Sequence, residues 1–139
     1  MSNLIEKIKV IPNLYHVKGC TTKQLEDAQN KLGIEFSEDY IHYVKEFGAI
    51  SFYGTEWTGL NVDNYLNVVH VTKQERDMNS SFPEGCFVVE NQRIDGLIVI
   101  SDVKGCIYSL QYEKKEFLCE SLVEYLEICI ARKNKQSKF

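Results

Sequence analysis

Residues 20–60 constrain the fold more than any other stretch, because they spell out two helices with both ends of each written in the chain. Thr21 and Gln24 have the spacing of a capping box, in which each side chain satisfies a backbone N–H of the other at a helix start. Leu25, Ala28 and Leu32 then share one helical face. Gly33 is placed to take left-handed backbone angles, with Ile34 beyond it to fold back on the helix end, as in a Schellman cap. Ser37 is the next N-cap, and Glu38 and Asp39 meet the positive end of the helix dipole in the first turn. Tyr40, Val44 and Phe47 follow at i, i+4 and i+7, and Gly48 ends this helix in the same manner as Gly33. Acids so placed are helix-start and solvation groups, and the block holds no evident reactive centre.

Upstream, Asn3 caps a short helix with Leu4, Ile8 and Ile11 on one face, ended by Pro12 and Asn13. Residues 14–20 form a partly extended linker. Downstream of Gly48 the pattern turns aromatic and β-branched. Residues 50–53 and 55–60, parted by Gly54, predict a hairpin or bulged strand pair, with Gly59 at a bulge or a close backbone approach. Residues 61–67 read as a loop. Residues 68–71 read as a short strand, and Thr72 with Glu75 as a capping box that opens a short helix to about Asn79. After a loop through Ser80, Ser81 and Pro83, strands are expected at 86–90, 97–101, 106–110 and 116–119, with a tight turn at 102–105 and a polar turn at 112–115. Ser121 and Glu124 form another capping box. Leu122, Leu126 and Cys129, flanked by Tyr125, give the closing helix its buried face.

That order predicts an α+β domain: an antiparallel β-sheet meander, interrupted by a short helix, with N-terminal helices and a C-terminal helix packed against it. The helices cover one side, leaving the other face, the edges and the loops for function. One domain is expected over residues 1–131, and residues 132–139 are a basic tail, frayed beyond the last helix.

Charge narrows the partners. The net charge is −4, but Arg132, Lys133, Lys135 and Lys138 lie in the last eight residues, so the first 131 carry a net −8. No Lys or Arg occurs between Lys45 and Lys73, while Glu46, Glu56 and Asp63 do. Such a body is a poor nucleic-acid binder, since phosphates need basic groups. It suits a basic protein partner, and the same charge equally serves solubility alone. Glu6 interrupts the first apolar residues and no small-residue cleavage site follows, which argues against a signal peptide. No run approaches the roughly 18 apolar residues of a membrane span. The five cysteines, Cys20, Cys86, Cys106, Cys119 and Cys129, are odd in number and widely spaced. They read as free thiols in a reducing cytoplasm.

Reactive constellations are hard to assemble. His16, His42 and His70 have no ligand spacing with one another, and no C-x-x-C pair exists, so neither a metal nor a cofactor is expected. Cys20, at the mouth of a helix, is the one cysteine with some claim to a lowered pKa. There is no phosphate loop, dinucleotide fingerprint or nucleophile elbow, and no enzyme activity is expected. More suggestive are Phe52, Tyr53, Glu56, Trp57, Asp63 and Tyr65, where aromatics interleave with acids and no base: a plausible protein-binding surface. Trp57 reads equally as an exposed anchor or a core residue; strand alternation sends Glu56 and Trp57 to opposite sides, so a partly buried Trp57 and an exposed Glu56 are expected. Asp95 and Asp102, in turns of the meander, would line a rim beside Glu90, or serve only as turn residues. The candidate partner-binding set is Tyr53, Glu56, Trp57, Asp63, Tyr65, Glu90, Asp95 and Asp102.

Leu25, the run Leu32-Gly33-Ile34-Glu35-Phe36-Ser37-Glu38-Asp39-Tyr40 and the segment 43–48 resemble the SUKH superfamily, which includes yeast cell-wall assembly regulators and many small bacterial proteins. Ser37 stands where that pattern has proline, a harmless exchange at an N-cap. Gly59-Leu60, the run Val69-His70-Val71-Thr72 with Glu75 and Arg76, the strands around 88–90 and 97–102, and the helix at 121–128 resemble later elements in order, so the resemblance covers nearly the whole chain. It implies a cytoplasmic immunity protein that binds and neutralises a cognate toxin stoichiometrically. Such toxins are often nucleases, which tend to be basic. The alternative is a non-catalytic regulatory or scaffolding module. A homodimer is compatible with either.

Overall fold

The fold is built on the two helices whose ends the sequence specifies. The structure, a computed structural model, describes residues 3–136. Helix α1 (Leu4–Lys9) starts after Asn3, whose side chain makes no capping hydrogen bond. Strand β1 (Tyr15–His16) lies in the linker. Helix α2 (Thr22–Leu32) has the full capping box, Thr21 accepting from Gln24 N and Gln24 Oε1 from Thr21 N. It ends in a Schellman cap: Gly33 is left-handed, its N–H donates to Asn30 O, and Ile34 N donates to Gln29 O. Helix α3 (Glu38–Phe47) is capped by Ser37 and buries Tyr40, Tyr43, Val44 and Phe47.

Gly48 ends α3 differently from Gly33. Its φ of 73° and ψ of −72° close a three-residue turn in which Ala49 N donates to Phe47 O at 2.9 Å. The reason is a close backbone approach: Leu60 N donates to Gly48 O, and a Cβ on Gly59 would fall 1.8 Å from that same oxygen. Gly59 therefore marks the close approach rather than a bulge.

Strands β2 (Ile50–Phe52) and β3 (Thr55–Trp57) pair as a hairpin, and β1 adds to β2, giving a three-stranded antiparallel sheet. A 3-10 turn (Asn64–Leu66) leads to helix α4 (Val68–Met78). This corrects the strand expected at 68–71. Asn67 Oδ1 accepts from both Val69 N and His70 N, so the helix starts there. Thr72 is then not a cap: it is buried inside α4, and its hydroxyl accepts from Val88 N at 3.0 Å.

Strands β4 (Phe87–Asn91), β5 (Leu97–Ser101), β6 (Ile107–Gln111) and β7 (Lys114–Cys119) form a four-stranded meander in sequential order. The two sheets meet at Thr58, whose N–H donates to Val89 O and whose hydroxyl donates to Val88 O at 2.7 Å. With its only proton used there, that hydroxyl accepts from Tyr40 OH at 2.9 Å, and Tyr43 OH donates to Thr58 O at 2.7 Å.

Helix α5 (Leu122–Gln136) packs on α1 and α3, with Lys7 paired to Glu127, and buries Leu122, Tyr125, Leu126 and Cys129. At its start Ser121 Oγ accepts from Glu124 N, while the Glu124 carboxylate accepts from Glu120 N, one residue before the expected box. The helix continues through residues 132–136, which were read as frayed tail; residues 137–139 lie outside those described.

The main core lies between α1, α2, α3, α5 and one face of the sheets. The opposite face of the meander is not left open. Val71 of α4 buries Val88, Ile98, Ile100 and Leu110 in a second cluster, with Phe82 beside it.

Candidate protein-binding surface

The β2–β3 hairpin turns through Tyr53 and Gly54, both with positive φ (52° and 80°), the two-residue turn whose twist matches paired strands. Alternation along β3 then sends Thr55 and Trp57 inward and Glu56 outward. Trp57 is wholly buried, parallel to the Tyr125 ring at 6.0 Å and edge-on to Tyr43 at 5.4 Å. It is not a partner anchor, and it is more deeply buried than the partly buried residue the sequence implies. Its indole N–H makes no hydrogen bond of normal geometry and is turned toward the Cys129 thiol.

Glu56 is half-exposed, and the structure surrounds it with two side chains from distant parts of the chain. Tyr65 OH donates to Glu56 Oε2 at 3.2 Å. Arg93, from the β4–β5 loop, lies 3.7 Å from Glu56 Oε1 and 4.2 Å above the Tyr65 ring. The stretch that lacks a base in sequence acquires one in space. Arg93 was the residue missed; only its place in a loop beside Glu90 hinted at a role.

Glu90 is buried, against the expectation of a surface rim. The cause is a bulge in β4: Val88 pairs with Ile100, but Glu90, not Val89, pairs with Val99. The extra residue resets the alternation, so Glu90 points with Val99 toward α5 rather than with Val88 toward α4. There it accepts from Tyr125 OH, and Arg132 Nη2 lies 3.2 Å from its Oε1. The same Arg132 nitrogen donates to Thr55 Oγ1 at 3.1 Å. Burial, reinforced by Cys129 and Glu90, pushes the Tyr125 phenol far above its usual range. Burial and Glu90 push the Cys129 thiol up to about 11. The group pins α5 to the sheet junction, so Glu90 is scaffold rather than contact surface. Arg132, read as tail, is part of it.

Asp95 and Asp102 do not share a rim. They stand at opposite ends of β5, and only Asp95 is at the Glu90 end. Asp102 holds its own turn: Oδ1 accepts from the N–H groups of Lys104, Gly105 and Cys106, and Oδ2 accepts from Tyr108 OH. Burial, then Asp102, pushes the Tyr108 phenol up to about 12. Asp95 is exposed, with φ 47°, and its carbonyl accepts from Gln111 Nε2. Asp63 is exposed just before the 3-10 turn and does not cap it. Tyr53 borders a cleft of about 390 Å3 between the hairpin and the β4–β5 loop, with Glu56, Arg93, Ile94 and Arg132 around it. The structure thus gathers Tyr53, Glu56, Tyr65 and Arg93 at the surface, places Glu90 beneath them, and sends Asp102 elsewhere.

Cys20 is buried and burial raises its pKa, which removes its claim to be an activated thiol. Among the described residues no group of three His, Cys, Asp or Glu side chains is arranged to hold a metal, and no helix is long and apolar enough to cross a membrane.

These elements, in this order, make an α+β domain in which Glu90, Tyr125 and Arg132 are bound into the scaffold. The family model SUKH_5, described as "SMI1-KNR4 cell-wall", matches residues 1–131, and the chain belongs to that family of the SUKH superfamily. No curated protein gives a significant match.

Proposed function

We propose that this protein is a cytoplasmic immunity protein that binds and neutralises a cognate toxin domain one to one, most simply a basic nuclease, without catalysis. The observation that carries the reading is the surface built by β3, the 3-10 turn and the β4–β5 loop. It presents Glu56, the half-exposed Tyr65 and Tyr53 on a base fixed by the buried Glu90 group. Rigid acid-and-aromatic surfaces of this kind bind cationic partners at low ordering cost. The net −8 of residues 1–131 would also speed encounter with a basic domain.

Co-expression with the toxin domain encoded beside its gene is expected to rescue growth, and the two chains are expected to co-purify. Absence of both a neighbouring toxin and any co-purifying basic partner would retire the proposal. Charge reversal at Glu56 and Asp63 is expected to weaken the complex and flatten its salt dependence. Unchanged affinity would move the interface elsewhere on the molecule.

A second reading is favoured by the family's cell-wall description: a regulatory or scaffolding module acting through the same surface. It predicts a partner that co-purifies without rescue from any toxin.

A further inference from the structure

We propose that Glu56 and Tyr65 form a receptor for an arginine side chain of the partner, and that Arg93 fills it in the free protein as a displaceable internal stand-in. The identity of the occupant rests on the reading above of a basic protein partner.

The chemistry is that of an arginine site. Tyr65 OH occupies Glu56 Oε2, which leaves Oε1 to face a cation and fixes the carboxylate beside the Tyr65 ring. A carboxylate edge next to an aromatic face suits a guanidinium, which is planar, always charged and weakly hydrated. Arg93 already demonstrates the fit by lying over that ring.

It fits loosely. Its closest approach to Glu56 is 3.7 Å, beyond hydrogen-bond length, and its side chain is 56% exposed. Beneath it remains a cavity of about 30 Å3 bordered by Glu56, Tyr65, Leu66 and Arg93, room for about one water. With so little holding it, Arg93 can leave by rotating its side chain into solvent. The cleft on its other side, bordered by Tyr53 and the exposed Ile94, gives the segment carrying an incoming arginine somewhere to lie.

An internal competitor exacts a toll on every binder. A tethered side chain acts at an effective concentration in the roughly millimolar range, so a ligand must displace it before gaining the cradle. A partner that offers no cation there gains nothing by displacing Arg93.

The test is an NMR titration of the full chain with a tetra-arginine peptide at low salt, following the Tyr65 ring. Arg93→Asn removes the competitor and keeps a residue that tolerates the left-handed angle at this position, φ 57°. It is expected to tighten binding by roughly three- to tenfold. Adding Glu56→Gln is expected to reverse the gain and abolish the Tyr65 shifts, while Glu38→Gln on α3 leaves both unchanged. Unchanged or weaker binding by Arg93→Asn overturns the proposal. So does an equal loss from Glu38→Gln, since the protein would then sense net charge alone. The titration needs no toxin, so a failed growth rescue leaves it readable, and a failed titration leaves neutralisation through another surface standing.

Discussion

Glu90, Tyr125 and Arg132 beneath the β3–β4 junction, and Glu56, Tyr65 and Arg93 above it, are the same three groups in two settings. In each, the tyrosine hydroxyl donates to the carboxylate and the arginine lies over the tyrosine ring. The inner ion pair is 3.2 Å long with side chains 7% and 29% exposed; the outer is 3.7 Å long with 34% and 56% exposed. The inner arginine also donates to Thr55, and the Cys129 thiol lies against it. Burial thus separates a fastening from a contact surface. A buried charge that loses its partner has no water to turn to, whereas an exposed one exchanges partners cheaply.

The largest expected effect is on the inner group. Arg132→Ala leaves Glu90 buried and unpaired, and should lower unfolding free energy in urea by about 3–5 kcal/mol. A loss below about 1 kcal/mol would make the two groups equivalent and break the contrast. Next is pH. Cys129 is raised from 9.0 to about 11, chiefly by burial and then by Glu90. Above pH 9 the unfolded chain releases this proton while the folded one keeps it, so stability is full below pH 9 and falls as pH rises toward 11. The fall should be about 2 kcal/mol, and Cys129→Ala should flatten that part of the profile. Thr55→Val removes one acceptor from Arg132 and should cost about 1 kcal/mol. Smallest of all, Glu56→Gln should change stability by no more than about 0.5 kcal/mol while weakening the arginine-peptide binding proposed above. A stability loss comparable to that of Arg132→Ala would reassign Glu56 to the scaffold.

What could be read in the chain followed from whether the deciding residue was both local and distinctive. The caps at Thr21, Gly33 and Ser37 act within a few residues of themselves, and the structure reproduces them. The first turn of helix α4 reads as a strand because Val68, Val69 and Val71 have the composition of one, while the deciding cap, Asn67, sits in a run of turn residues with no distinguishing mark. Glu90, expected beside a surface rim, is turned inward toward α5 by one bulged residue, an insertion that the sequence pattern does not reveal. Trp57 and Glu56 were sorted correctly to opposite sides by strand alternation where no bulge intervenes. Arg93 meets Glu56 across a gap in sequence that only the folded topology closes.

The packing of α5 on α1, fastened by Lys7 and Glu127, joins residues 120 positions apart and has a consequence for biosynthesis. Chains emerge from the ribosome at roughly 5–20 residues per second, so α1 waits several seconds for the helix that covers it. Until then Leu4 and Ile8, and the sheet surface around Trp57, lack their lid. The nascent chain can assemble α2, α3 and the first hairpin early, but its cooperative collapse is held to the moment α5 arrives. The delay before α5 is delivered, more than any delay in making α2 or α3, would then govern how much of the protein escapes aggregation.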